Sequence, residues 1–95
     1  MAAYMVVEAK EITDPAAIGQ YSEQAAALVA RHGGKYLMRG PVTSLEGDWQ
    51  PMMVVVVEFA SMERLQAFYH SPEYAPLIAL RQGGSVTNFV AGEGL

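Results

Sequence analysis

The chain has 95 residues, of which 52% are hydrophobic and 17% charged, which is one domain's worth of sequence (1–95) with no room for a second core. A chain this short buries only roughly 60–65% of the surface its unfolded form exposes, so this much apolar content with so little charge to cover it predicts self-association. Ten Asp and Glu against six Lys and Arg leave a net charge of −4, and Cys is absent; this argues against a nucleic-acid partner, which needs clustered cations, and removes disulfides, thiol nucleophiles and cysteine metal sites.

The opening Met-Ala-Ala-Tyr-Met-Val-Val has neither a basic start nor a long apolar run. No signal peptide, membrane span or membrane partner is therefore expected, and the default location is cytoplasmic. Tyr4–Ala9, rich in Val, reads as a first strand. Thr13-Asp14-Pro15 is a helix start, a capping oxygen before a proline in the first turn. Ile18, Tyr21, Ala25, Leu28 and His32 then recur at steps of three and four, one face of a helix over Asp14–Arg31 that Gly33-Gly34 ends. Lys35–Arg39 is a second strand, stopped or bent at Gly40-Pro41, with Val42–Leu45 a candidate extension beyond the bend. Glu46–Pro51 has turn chemistry and predicts a reversal. Met52–Phe59 is the strongest strand. Ser61 is suited to cap a second helix whose inner side carries Met62, Leu65, Phe68 and Tyr69. Ser71-Pro72 repeats the cap-plus-proline pattern and predicts another short helix through Leu80, distorted by Pro76, which has no N–H to donate. Ser85–Ala91 is the last strand and Gly92–Leu95 reads as a frayed tail.

Strand, helix, strand, strand, helix, strand, joined by right-handed crossovers, give an α+β, ferredoxin-like βαββαβ fold: a four-stranded antiparallel sheet with its helices on one face. The other face has no cover within the chain. In the third strand Met53, Val55, Val57 and Phe59 point one way and Met52, Val54, Val56 and Glu58 the other. Helices bury one set. The second is an apolar patch of a kind monomers seldom expose, worth on the order of 1.5–3 kcal/mol per side chain if buried. A second copy is the economical cover, so two sheets packed face to face as a homodimer are predicted.

Alternation puts Tyr4, Val6 and Glu8 with Val54, Val56 and Glu58, and Leu37, Arg39 and Asn88 are assigned to that same face. Glu8, Arg39 and Glu58 then form an ionic set beside an apolar space. Either Arg39 grips an anionic or carbonyl ligand while a desolvated glutamate acts as base, or Arg39 is simply the counter-ion of the glutamates, or all three reach solvent at strand ends. His32 sits at a helix C-terminus, where a cation complements the dipole. His70, between two helices, is a second candidate base or a surface loop residue. The two histidines have no metal-ligand spacing, so no metal is expected. Core packing is the default for Tyr21, Tyr69 and Tyr74 and pocket lining the sharper alternative. Trp49, in a polar turn, predicts packing onto another surface. There is no nucleophile elbow, phosphate loop or dinucleotide fingerprint.

Motifs in order are Asp14-Pro15 with Tyr21, His32-Gly33-Gly34-Lys35-Tyr36-Leu37, Arg39-Gly40, and Leu45-Glu46-Gly47-Asp48-Trp49 with Pro51. They continue with Val57-Glu58-Phe59 and with Tyr69-His70-Ser71-Pro72-Glu73-Tyr74 and Arg81. Together they resemble the domain of unknown function 1330 family over nearly the whole chain. Pro76 departs from that family's pattern. The resemblance implies the dimeric alpha-beta barrel superfamily, whose members include cofactor-independent quinone-forming monooxygenases, muconolactone isomerases, haem degraders and stress-responsive proteins. The Asn, Trp and His of the haem degraders do not match in position here, and no cofactor is expected. The resemblance also points to Tyr21, Arg39, Glu58, Tyr69, Ser71, Tyr74 and Arg81 as site residues, although capping alone accounts for Ser71. The expected function is that of a small dimeric barrel acting without a cofactor, in the manner of a monooxygenase or isomerase, on a small carbonyl or phenolic acid, with Glu58 or His70 moving the proton. The alternatives are a non-catalytic small-molecule binding module, a stress-related dimer, and polar residues that only organise the interface.

Overall fold

The computed structural model describes residues 1–95. In chain order the elements are β1 (Ala3–Ile12), α1 (Pro15–Arg31), β2 (Lys35–Gly40), β3 (Met53–Phe59), α2 (Met62–Tyr69), α3 (Ala75–Gly84) and β4 (Ser85–Glu93). The strands form one antiparallel sheet in the order β2-β3-β1-β4, the ferredoxin-like arrangement read from the sequence. No helix is long and apolar enough to cross a membrane.

Local chemistry accounts for the helix starts. The Asp14 carboxylate accepts from Ala17 N–H at 3.2 Å, and Ser61 Oγ accepts from Arg64 N–H at 3.2 Å, each satisfying an end-of-helix donor. His32 closes α1, and Gly33 follows at φ 75, a left-handed position that favours glycine. Gly34 is held by space: a Cβ there would meet Val29 Cγ1 at 2.6 Å and Phe59 Cε1 at 2.8 Å.

Three local expectations are corrected. Pro72 does not begin a helix; residues 72–74 are a turn, and Pro76 falls in the first turn of α3, where a missing N–H removes no helix bond. α3 is therefore regular, and the expected third helix begins at Ala75 and runs to Gly84. Val42–Leu45 form no strand. The tail is tied down, since β4 runs to Glu93 against Ala3 and Gly94 N–H donates to Ala2 C=O at 2.7 Å.

The core lies between helices and sheet. Met5, Val7, Val57 and Phe59 from the strands pack with Leu28, Val29, Leu65, Phe68, Tyr74 and Leu77. Register confirms the division of the third strand: Val57 and Phe59 lie opposite Met5 and Ala3 on the helix side, while Val56 and Glu58 lie opposite Val6 and Tyr4 on the outer side. The chain is a slab 32 × 32 × 16 Å, one sheet layer and one helix layer thick.

Candidate functional site

A cavity of about 70 Å³ lies between the helix side of the sheet and helices α1 and α3. At roughly 10–15 Å³ per water on this measure, it has room for about five to seven waters, the bulk of a one-ring organic molecule. Its lining is hydrophobic at 14 of 19 positions, two of them tyrosines with a polar hydroxyl, so the few polar groups stand out. They are Tyr21 and Ser22 from α1, Tyr36 and Arg39 from β2, Arg81 from α3, and Ser85 and Thr87 at the start of β4.

Arg81 is 5% exposed. One Nη donates to Thr87 Oγ1 at 2.8 Å, and Nε has no partner. The guanidinium carbon lies 4.0 Å from the Phe89 ring centroid and 5.9 Å from that of Tyr21, a plane held by aromatic faces. The Tyr21 and Tyr74 hydroxyls share a hydrogen bond of 2.6 Å. Burial pushes the Tyr21 phenol far above its ordinary range, and the neighbouring Tyr74 adds to this. Burial also raises Tyr74, and it raises Tyr36 against the opposing pull of the Arg39 cation. These phenols are neutral hydrogen-bonding groups at physiological pH.

Tyr69 is half-buried and packs its ring against Tyr74 at 5.5 Å and Phe89 at 6.1 Å. Ser71 lines neither this cavity nor the recess beside His70. Its hydroxyl donates to Phe68 C=O at 2.8 Å and accepts from Tyr74 N–H at 3.3 Å, so it shapes the turn that sets Tyr74 in place. The fold thus draws Tyr21, Tyr69, Tyr74 and Arg81 into one cluster, with Ser71 behind it.

Arg39 requires a correction. Alternation through β2 places it on the outer face with Glu8 and Glu58, but the β2–β3 register slips between Tyr36 and Met38, so that Tyr36 lies opposite Val57 and Arg39 opposite Val55. The extra residue, Leu37, reverses the parity. Arg39 therefore joins the helix-side cavity, exposed at its rim with its guanidinium carbon 5.3 Å from the Tyr36 ring centroid. Glu58 stays on the outer face, where Tyr4 Oη donates to it at 3.2 Å; that bond is the first cause of a raised Tyr4 phenol. Arg39 and Glu58 lie on opposite faces and do not share one ligand within a chain. His70 caps the C-terminus of α2, exposed. It borders a more open recess of about 260 Å³ with Leu65, Gln66 and Tyr69, separated from the first cavity by Met5 and Phe89, which line both.

The outer face has its own polar cluster. Glu8 accepts from Trp49 Nε1 at 2.7 Å and from Asn88 Nδ2 at 3.0 Å. These two bonds, that from Asn88 foremost, hold its carboxyl below the usual range. Trp49 is 59% exposed, so this loop ring leans on the sheet through its N–H and leaves most of its surface free. Nowhere do three or more His, Asp or Glu side chains converge as metal ligands. Of the cavity residues that were not singled out, Thr87 and Phe89 were readable, since Asn88 pointing outward places its neighbours inward.

No curated protein matches the chain in sequence. Among solved structures, it is similar to RPA0582 of Rhodopseudomonas palustris, a protein of unknown function, at 19% identity and TM-score 0.79 over 99% of this chain and 82% of that one. It is similar to SnoaB of Streptomyces nogalater, a cofactor-independent oxygenase, at 15% identity and TM-score 0.72 over 99% and 93%. A dimeric ferredoxin-like protein of unknown function from Bacteroides fragilis aligns at 13% identity and TM-score 0.63 over 98% and 96%. At these identities the likeness shows the fold. The family profile of Domain of unknown function (DUF1330) matches residues 2–95, and the chain, with its ferredoxin-like sheet, belongs to that family.

Proposed function

We propose that this protein binds a small, largely apolar molecule in the cavity between sheet and helices. The carrying observation is the cavity itself. Interiors are packed to near-crystal density, and an unfilled apolar void lowers stability. Here α1 and α3 leave one open, and Tyr21, Arg39 and Arg81 border it. Larger side chains at Ala9 or Ala25, both buried on its wall, would close it. The test is a fragment screen by amide NMR: shifts clustered at Val7, Tyr21, Ala25 and Thr87 support the reading, and shifts confined to the outer face refute it.

The outer face is the surface for a second copy. A compact 10.3 kDa chain exposes roughly 5,400 Å²; this one exposes 5956 Å². The excess includes Val90 at 64% exposure, opposite Val6 in register, and continues over Val56 and Met38. Glu58 and its Tyr4 partner belong to this face. Sedimentation of the wild type at about twice 10.3 kDa, and of Val56→Glu at 10.3 kDa, is the expected result; single chains in both would remove the dimer.

Turnover is a second reading, favoured by the shared fold of SnoaB, a cofactor-independent oxygenase. In such a reaction Tyr21 and Arg81 would stabilise negative charge on a substrate oxygen. Neither Glu58 nor His70 lines the cavity, so neither is placed to take the proton, and the substrate would enter already ionised, its proton left in solvent. Oxygen uptake with small phenolic acids checks this, and its absence leaves the binding module.

A further inference from the structure

We propose that the ligand is a monocarboxylic acid whose carboxylate is taken by Arg81, with its apolar body lying along the cavity. This rests on the cavity being a ligand site. The chain carries ten Asp and Glu, yet Arg81, 5% exposed, has none of them as a partner: its one side-chain bond goes to neutral Thr87, and Nε is orphaned. A buried guanidinium lacking a counter-charge is held at a cost. It is placed where something from outside supplies the charge.

The geometry defines the anion. The Phe89 ring centroid lies 4.0 Å from the guanidinium carbon, so the donors turned away from that ring are the ones left for a ligand. Thr87 takes one Nη; the Nε edge retains the fork that matches the two oxygens of a carboxylate. One buried cation among neutral phenols and apolar walls balances one negative charge. A phosphate, at about −1.5 to −2, would bring more charge than this site neutralises. Arg39, exposed at the rim, is placed to draw an acid in.

The probes are benzoate, benzamide and phenyl phosphate, titrated calorimetrically into wild type, Arg81→Gln and Arg39→Gln, with the NMR screen run alongside. Benzoate is expected to bind wild type at least tenfold more tightly than either of the others. Arg81→Gln should lose that preference while still giving benzamide shifts in the cavity, and Arg39→Gln, which removes only the rim charge, should weaken benzoate less than Arg81→Gln does. If Arg81→Gln does not fold, Thr87→Val replaces it, with benzoate affinity reduced severalfold. Equal binding of benzoate and benzamide overturns the carboxylate assignment and leaves the cavity reading intact, as does tighter binding of phenyl phosphate. If no probe shifts any cavity residue, both readings fail together.

Discussion

Replacing Arg81 with methionine is expected to stabilise the unliganded protein while abolishing its response to acids. Removing the cation relieves a desolvation penalty of several kcal/mol and about 1–3 kcal/mol for the unsatisfied Nε–H. Two losses oppose this. The charged hydrogen bond to Thr87 is worth about 1.5–3 kcal/mol, and the guanidinium on Phe89 about 2 kcal/mol when desolvated. Methionine is unbranched and apolar and keeps much of the stem's packing. The balance favours the variant by about 1 kcal/mol, a Tm rise of about 4–8 °C for a domain of this size. Thermal unfolding by circular dichroism reads it. Benzoate at a hundred times its Kd would add about 2.7 kcal/mol to the wild type and nothing to the variant. A fall in Tm of similar size in the unliganded variant would show that Arg81 is a structural residue, and the reasoning would fail.

Gly34→Ala drives a methyl group into Val29 and Phe59 and should cost about 1–3 kcal/mol, read as an early denaturation midpoint; an unchanged midpoint would mean that the α1–β2 junction yields. Tyr21, Tyr36 and Tyr74 have folded-state phenols raised by burial, so their contribution is complete below the unfolded pKa of about 10 and is lost as pH climbs above it. Tyrosinate absorbance in an alkaline titration should therefore lag behind that of free tyrosine and then rise with unfolding. Glu8 runs the opposite way: its folded carboxyl is lowered, so its contribution is present above the ordinary carboxylate range and lost as pH falls through the lowered value. Trp49, the one tryptophan, should report this as an acid-side fluorescence change that Glu8→Gln removes.

What the sequence made legible were the patterns carried by periodicity. Val-rich alternation in β1 and β3 fixed which residues face the helices, and Phe59 inside with Glu58 outside followed from polarity alone. Asp14, Ser61 and Gly33 announced their caps because capping depends on a few adjacent residues. Arg39 was misplaced because a bulge is a property of strand pairing, and nothing in Lys35–Gly40 marks the extra residue. Ser71-Pro72 read as the helix start and Pro76 as a distortion within it, whereas the helix begins later and Pro76 falls in its first turn. The family motifs named Tyr21, Tyr74 and Arg81, but the orphaned Nε of Arg81 and its seat on Phe89 arise only once α3 is laid over the sheet. The Trp49–Glu8–Asn88 tie joins three distant stretches and was equally beyond local reading.

The Nε–H resonance of Arg81 gives the most direct measurement, since that proton belongs to the orphaned donor. On adding benzoate to the wild type, this signal should move downfield and exchange more slowly with solvent, as a charge-assisted bond forms, while benzamide leaves it in place. A signal indifferent to benzoate, at concentrations where other cavity residues shift, would contradict the account.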